Sequence, residues 1–287
     1  MKENDVPLIL PEFTRPPDAI AVDLDGTLFD SNTHLSARNR EALERCLKRG
    51  IPVIIATSRP ARSVRRYCGE HFTQACSRIL QNGAIAIATS PLSGEFKESL
   101  KPELARDIID SILKIEPEMR ITVELEGYEF GTNNPRDPES LWEINSATPN
   151  MQLNLETALA NTPTKIAAGG LARNISHVTA ALNKEFGDYI SVVPSNENTF
   201  LNITKRKATK PEALRKILGS QQDRLENVVA FGDDLPDLDM LQVCGISIAV
   251  ANAIPEVKST VRYHTASNDE DGVAIALEKM LETLSGK

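Results

Sequence analysis

Cysteine is scarce in this chain of 287 residues. The four cysteines, Cys46, Cys68, Cys76 and Cys244, show no CxxC spacing, so neither a sulfur-ligated zinc site nor a disulfide framework is implied, and a reduced cytoplasm is expected. A concentrated basic surface is missing as well. The net charge is -8 with a pI near 5.2, and the basic residues are scattered apart from small groups such as Arg62, Arg65 and Arg66. Nucleic acid is therefore not expected as a general partner, although a small anionic ligand needs only a local positive pocket. The opening stretch MKENDVPLILPEFTRPPD has an apolar patch too short, and too interrupted by acids and prolines, for a signal peptide or a membrane span. It reads as an extended lead-in. Fixed-period repeats and low-complexity tracts are also lacking.

What is present is apolar sequence in short, well-punctuated runs. With 41% hydrophobic residues the chain can bury a substantial core in one large or two ordinary domains. AIAV and IPVIIA read as strands buried on both faces of a parallel sheet, joined by an amphipathic helix with Ser36 as N-cap and Gly50 past its end. A further helix is expected over roughly residues 60 to 71. After Asn82-Gly83 the segments become more polar: a hairpin-like pair in MRITVELEGYEFG, a loop at TNNPRDPES, a strand at TKIAAGG and a helix in ARNISHVTAALNKEFG. A helix with Pro211 in its first turn, strands at ENVVAFG and ISIAVANA, and a terminal amphipathic helix complete the pattern. The expected architecture is α/β, a Rossmann-like parallel-sheet core formed by residues 1–83 and 200–287, with an inserted α/β domain over 84–199.

The chemistry gathers where the strands end. Ligands of open parallel sheets bind outside the carboxyl ends of the strands. There the sequence puts Asp23 and Asp25 after AIAV, Thr57 after IPVIIA, and Asp233 after VVAFG. Strand alternation places Asp23 and Asp25 on one side, so two carboxylates share a corner with a third. Like charges at close range are costly unless a cation offsets them, and an all-oxygen site with few protein ligands suits Mg²⁺. Each piece alone has an ordinary reading as a turn, a helix start or a surface lysine. Their occurrence together and in this order does not.

DLDGTLF, IIATSRP, TKPEAL and GDDLPDLDML followed by IAVANAIPEVK resemble the four motifs of the haloacid dehalogenase (HAD) superfamily, specifically the Cof-type, subfamily IIB phosphatases with an α/β cap. The resemblance covers about residues 17 to 83 and 199 to 284, and the cap in position and length only. It implies a cytoplasmic Mg²⁺-dependent phosphatase acting on a small phosphorylated metabolite, with no nucleic acid or membrane partner. Asp23 would be the nucleophile that becomes an aspartyl phosphate. Asp25 would protonate the leaving alcohol and later activate water. Asp23, the backbone carbonyl of Asp25, Asp233 and Asp237 would form the metal corner, Asp237 through the metal's water or by holding Lys210. Thr57 and Lys210 would stabilise the transferring phosphoryl group. Leu24, Gly26, Ser58 and Arg59 would complete the phosphate pocket, although Arg59 also fits a solvent-facing helix start.

Some readings stay open. Lys210 fits the family's K-G-x-A-L pattern with proline in place of glycine, but Lys205 and Lys207 are near neighbours. Asp234 and Pro236 stand where the family commonly has glycine and asparagine, which removes a side-chain amide from the phosphate pocket. Asp239 reads as helix surface. A phosphomutase of the same superfamily, or a catalytically weak sugar-phosphate sensor, uses the same motifs, whereas a receiver-type signalling module has a different motif order. Substrate choice would lie in the cap, where Trp142, Tyr128, Asn133, Arg136 and Lys165 are the candidates.

Overall fold

The run Ala19–Val22 holds no polar side chain, so neither face of a strand made from it can be left in water; it forms β1, buried throughout, at the centre of an eight-stranded sheet. The computed structural model describes residues 8–219 and 222–285. The part of the expected lead-in before Leu8 lies outside the described residues; beyond it, Ile9 bridges to His264 and Phe13 is buried. β1 is joined through the helix Ala37–Lys48 to β2 (Val53–Ala56), which pairs with it in parallel. Ser36 caps that helix by accepting from the N–H of Asn39, as its hydroxyl at the N-cap should.

β3 (Ser77–Leu80) extends the parallel sheet, and β4 (Ile85–Ile87) and β5 (Glu95–Lys97) continue it antiparallel. The helix expected over 60 to 71 is two, Ala61–Cys68 and Glu70–Ala75, because Gly69 takes a φ of 78° and breaks the path.

A second, six-stranded sheet follows, with β6 (Arg120–Glu124), β7 (Phe130–Thr132), β8 (Gln152–Asn154), β9 (Lys165–Gly169), β10 (Ile190–Ser195) and β11 (Phe200–Lys205), in the order β10-β11-β9-β6-β7-β8. β6 and β7 are the expected antiparallel pair. The stretch TNNPRDPES is loop only at its start, since a helix, Pro138–Asn145, begins inside it with proline in its first turn, where the missing N–H has no helical partner to lose. The chain then returns to the large sheet through the helix Lys210–Leu218 to β12 (Val228–Gly232), β13 (Ile246–Ala249) and β14 (Tyr263–His264).

The two sheets do not divide at 83/84 and 199/200. β4 and β5 pair with the large sheet, and Phe200–Lys205 pairs with β9 and β10 of the small one, so the crossovers lie beyond Lys97 and beyond Lys205. Strand hydrogen bonding, not the change in sequence polarity, sets those borders. The large sheet buries an apolar layer on each face: Ile20, Val22, Ile55 and Phe231 on one, Ala21, Ile54, Ala230 and Ala249 on the other. The small sheet covers Ile121, Val123, Ile166 and Ile203 with helices on one face, and on the other Phe130 packs against Leu141 of the helix Pro138–Asn145. Its other face looks toward the carboxyl ends of the large sheet's strands. No helix among the described residues is long and apolar enough to cross a membrane.

Candidate active site

β1 delivers Asp23 in extended conformation, and the chain then turns back on itself, with the Phe29 N–H donating to the Leu24 carbonyl at 2.8 Å. The turn needs Gly26. Its φ is +73°, and a Cβ there would lie 2.2 Å from Asp233 Oδ2. The backbone at the end of β1 is therefore pressed directly onto the carboxylate that ends β12. Thr27 Oγ1 donates to Asp233 Oδ1 at 2.6 Å, and Asn252 Nδ2 donates to the Gly26 carbonyl at 2.7 Å, which ties the turn to the loop after β13. Sequence reasoning missed Asn252. It sits in IAVANA as a polar residue following a buried strand, which is the only signal it carries.

Lys210 opens its helix behind this corner, where Thr209 caps by accepting from the Glu212 N–H. Its Nζ donates to Asp23 Oδ1 at 2.7 Å and to Asp237 Oδ1 at 2.6 Å, in a fully interior setting. Lys205 instead pairs with Glu98, and Lys207 is exposed, so Lys210 is the lysine beside Asp23. Asp237 spends its other oxygen on the N–H groups of Asp233 and Asp234, at 3.1 and 3.4 Å. With both oxygens engaged, Asp237 holds Lys210 and the loop. Asp239 is exposed.

Asp23, Asp233 and Asp237 bring ligand atoms within 4.8 Å of one another. One ammonium faces three carboxylates, and the imbalance is visible in their acidity. Burial, then the Asp237 carboxylate, push Asp23 up to about 8 against the pull of Lys210. Burial, then the Asp237 and Asp23 carboxylates, hold Asp233 well above the usual carboxylate range. Burial also works against the Lys210 ammonium, but Asp23 and Asp237 outweigh it and its pKa stands above the ordinary lysine value. Carboxylates crowded this way fit a hard divalent cation, and because Asp237 is already bonded, Asp23 and Asp233 are the side chains best able to hold it.

A cavity of about 400 Å³ opens beside the corner, lined by Asp23, Asp25, Gly26, Ser58, Arg59 and Pro236 from the large-sheet side and by Ser195, Asn196 and Phe200 from the small-sheet side. Asp25 is exposed at its rim and gripped by Arg59 through two hydrogen bonds of 2.7 and 2.6 Å. Arg59 thus faces this pocket rather than solvent. Thr57 is fully buried behind the rim; its Oγ1 accepts from the Arg59 N–H at 3.1 Å and keeps its own proton to donate. Leu24 is buried and takes part through its backbone. Asp234, at the glycine position of the motif, accepts from the Leu235 N–H at 2.8 Å and is also bonded by the backbone of Asn196. Burial raises its pKa, and those two N–H groups lower it in part.

A second cavity of about 400 Å³ adjoins the first, sharing Ser58, Arg59 and Phe200. Arg136 and Lys165, both expected specificity residues, line it together with Arg62, Arg120, Thr122, Glu124 and Asn145. Arg62 and Glu124 form a buried bidentate pair at 2.7 and 2.8 Å that links the two sheets and that sequence separation concealed. Lys165 Nζ donates to the Ser58 carbonyl at 2.9 Å. Burial pushes its ammonium down to about 8, with Glu124 pulling the other way. The remaining candidates lie elsewhere. Trp142 and Tyr128 stack on Arg66 and Arg65 at an outer pocket, and Asn133 bonds the backbone of Ile121 and Met119.

The family model for haloacid dehalogenase-like hydrolases matches residues 20–277. A Haemophilus influenzae protein provisionally named a phosphatase is 30% identical over 268 residues, covering 91% of this chain and 97% of the relative. A phosphoglycolate phosphatase of Methanobrevibacter smithii is 26% identical over 266 residues, covering 92% and 98%. Among solved structures, a haloacid dehalogenase-like hydrolase from Bacteroides thetaiotaomicron superposes with a TM-score of 0.75 at 26% identity, over 92% of this chain and 99% of that one.

Proposed function

The chain belongs to the haloacid dehalogenase-like hydrolase family and is an enzyme of the phosphatase class, and from that premise we propose that it hydrolyses small phosphate monoesters, sugar phosphates foremost, with Mg²⁺ and through an aspartyl-phosphate intermediate. The observation that carries the reading is the Asp23 carboxylate held by a buried lysine beside Asp233, in the wall of a cavity of about 400 Å³.

In this reading Asp23 attacks phosphorus, and the bond between phosphorus and the leaving oxygen breaks. Asp25, oriented by Arg59, gives that oxygen its proton, so the alcohol departs neutral. Water then attacks the phosphorus of the aspartyl phosphate, Asp25 takes the proton from the water, and Asp23 returns to a carboxylate as inorganic phosphate leaves. Lys210 stays paired with Asp23 throughout and offsets the negative charge that gathers on the phosphoryl oxygens. Asp23 and Asp233 would hold Mg²⁺, which would supply the rest of that neutralisation. The Thr57 hydroxyl and the backbone of residues 24–27 are the proposed phosphate donors.

The choice of small metabolites is supported by the size of the two cavities, about 400 Å³ each, and by the name of the Methanobrevibacter relative, whose substrate is a small phosphate ester. Sugar phosphates are favoured by hydroxyl-binding side chains in the second cavity, among them Thr122. The test is phosphate release from p-nitrophenyl phosphate with and without Mg²⁺. We expect metal-dependent turnover that Asp23→Ala abolishes. Folded protein with no turnover in Mg²⁺ would sink the reading.

A further inference from the structure

The second cavity is rich in positive charge in a protein whose net charge is -8. Its floor is one face of two paired strands. Arg120, Thr122 and Glu124 of β6 stand opposite Gly169, Ala167 and Lys165 of β9, and all six line the cavity. Alternation sends Ile121, Val123, Ile166 and Ala168 to the opposite face and into the core. The apolar side thus fixes which side chains the cavity receives, because a slip of one residue would bury the charges.

The cations of this floor are not all balanced. Arg59 is taken by Asp25 and Arg62 by Glu124. The side chains of Arg120 and Arg136 make no hydrogen bond or ion pair with any described residue, and Lys165 gives its one hydrogen bond to a neutral carbonyl. Arg120 is nevertheless seated: a Cβ on Gly170 would lie 2.7 Å from its Cδ, so its stem fills the space where that residue has no side chain. Beside these cations Asn145 Oδ1 is buried without a donor. Arg120 is exposed and Arg136 half-buried, so both guanidinium groups are open to an incoming ligand, and bonds from charged donors to an anionic ligand are strong.

We propose that the substrate carries a second anionic group, a carboxylate or a further phosphate, on its leaving alcohol, and that Arg120, Arg136 and Lys165 bind it. This rests on the phosphatase reading and adds the part of the substrate beyond the bond that is cleaved. The second anion remains on the released alcohol.

Two matched pairs test it: 6-phosphogluconate against sorbitol 6-phosphate for a carboxylate, and glucose 1,6-bisphosphate against glucose 6-phosphate for a phosphate. The charged member of at least one pair should show a kcat/KM about tenfold higher or more. Arg120→Ala and Arg136→Ala should each cut that advantage to about threefold or less by raising KM for the charged member. Equal kcat/KM within both pairs, or variants that slow both members alike, overturns the proposal. Binding separates this result from a failure of the phosphatase reading. In Mg²⁺-loaded Asp23→Asn protein, checked for folding by its melting curve, calorimetry should show the same preference for the charged ligands with no turnover involved. Equal affinities within each pair there would overturn the proposal whatever the catalytic outcome.

Discussion

Arg59 holds Asp25 by both carboxylate oxygens, Nε to Oδ2 at 2.7 Å and Nη2 to Oδ1 at 2.6 Å. The guanidinium is itself fixed, 4.7 Å from the Tyr67 ring centroid and 2.7 Å from Ser63 Oγ. A forked pair of this kind sets the plane of the carboxylate as well as its position. If Asp25 protonates the leaving oxygen, Asp25→Asn should lower kcat for an alkyl phosphate by about 10²–10⁴. It should lower kcat far less for p-nitrophenyl phosphate, whose phenolate departs without a proton. Arg59→Ala should follow the same pattern at about a tenth of normal rate, as a positioning residue would. Equal losses on both substrates would show that Asp25 does not deliver a proton.

Lys210 lies between two interior carboxylates, and removing one partner of such a set is more damaging than replacing the set. Lys210→Met should cost about 3–5 kcal/mol in urea unfolding. Adding Asp237→Asn should restore part of that loss, so that the double variant is more stable than the sum of the singles predicts. Simple additivity would mean that the three groups are not coupled.

The close approach of Gly26 to Asp233 would tie metal binding at this corner to backbone conformation. Saturating Mg²⁺ at 100 times its Kd should stabilise the protein by about 2.7 kcal/mol, read as a rise in melting temperature over protein in EDTA. Asp233→Asn should remove that rise. Gly26→Ala should remove it as well, because the new Cβ displaces the Asp233 carboxylate. A full metal-induced rise in Gly26→Ala would show that the loop can relax without losing the site.

Lys165 should leave a signature in the pH dependence of stability. Its pKa is about 8 in the folded chain and near the ordinary 10.5 when unfolded. Between those values the unfolded chain holds the proton that the folded one has given up, so Lys165 destabilises the protein fully below pH 8 and progressively less as pH rises toward 10.5. Lys165→Met should therefore be more stable than the parent by about 3 kcal/mol near neutrality, and the difference should shrink across that window. A difference that stays constant with pH would rule out a neutral Lys165 at high pH.

The corner formed by Asp23, Asp233 and Lys210 was readable from the sequence because each residue follows or opens an element with strong local signals: an unbroken apolar run, or a threonine cap before a proline-started helix. The floor of the second cavity was not. Arg120 and Glu124 count as ordinary surface charges until β6 is set in register with β9, and no local pattern specifies a register between strands some forty residues apart. The same holds for the salt bridge between Arg62 and Glu124. The first border between the sheets is hidden because β4 and β5 are three residues each, too short for periodicity to reveal, and the second because only pairing with β9 and β10 assigns Phe200–Lys205 to the small sheet. The turn at Gly69 hid inside a continuous helical pattern.

β1 pairs on one side with β2 and on the other with β12, and the hydrogen bond from Thr27 to Asp233 spans 206 residues of chain. During synthesis the first strand leaves the ribosome with one of its two neighbours still unwritten. The small sheet can close while that edge waits, since its strands run from 120 to 205. A ribosome-bound chain ending before residue 228 would then hold β6 and β9, the floor of the second cavity, without Asp233 or Asp237.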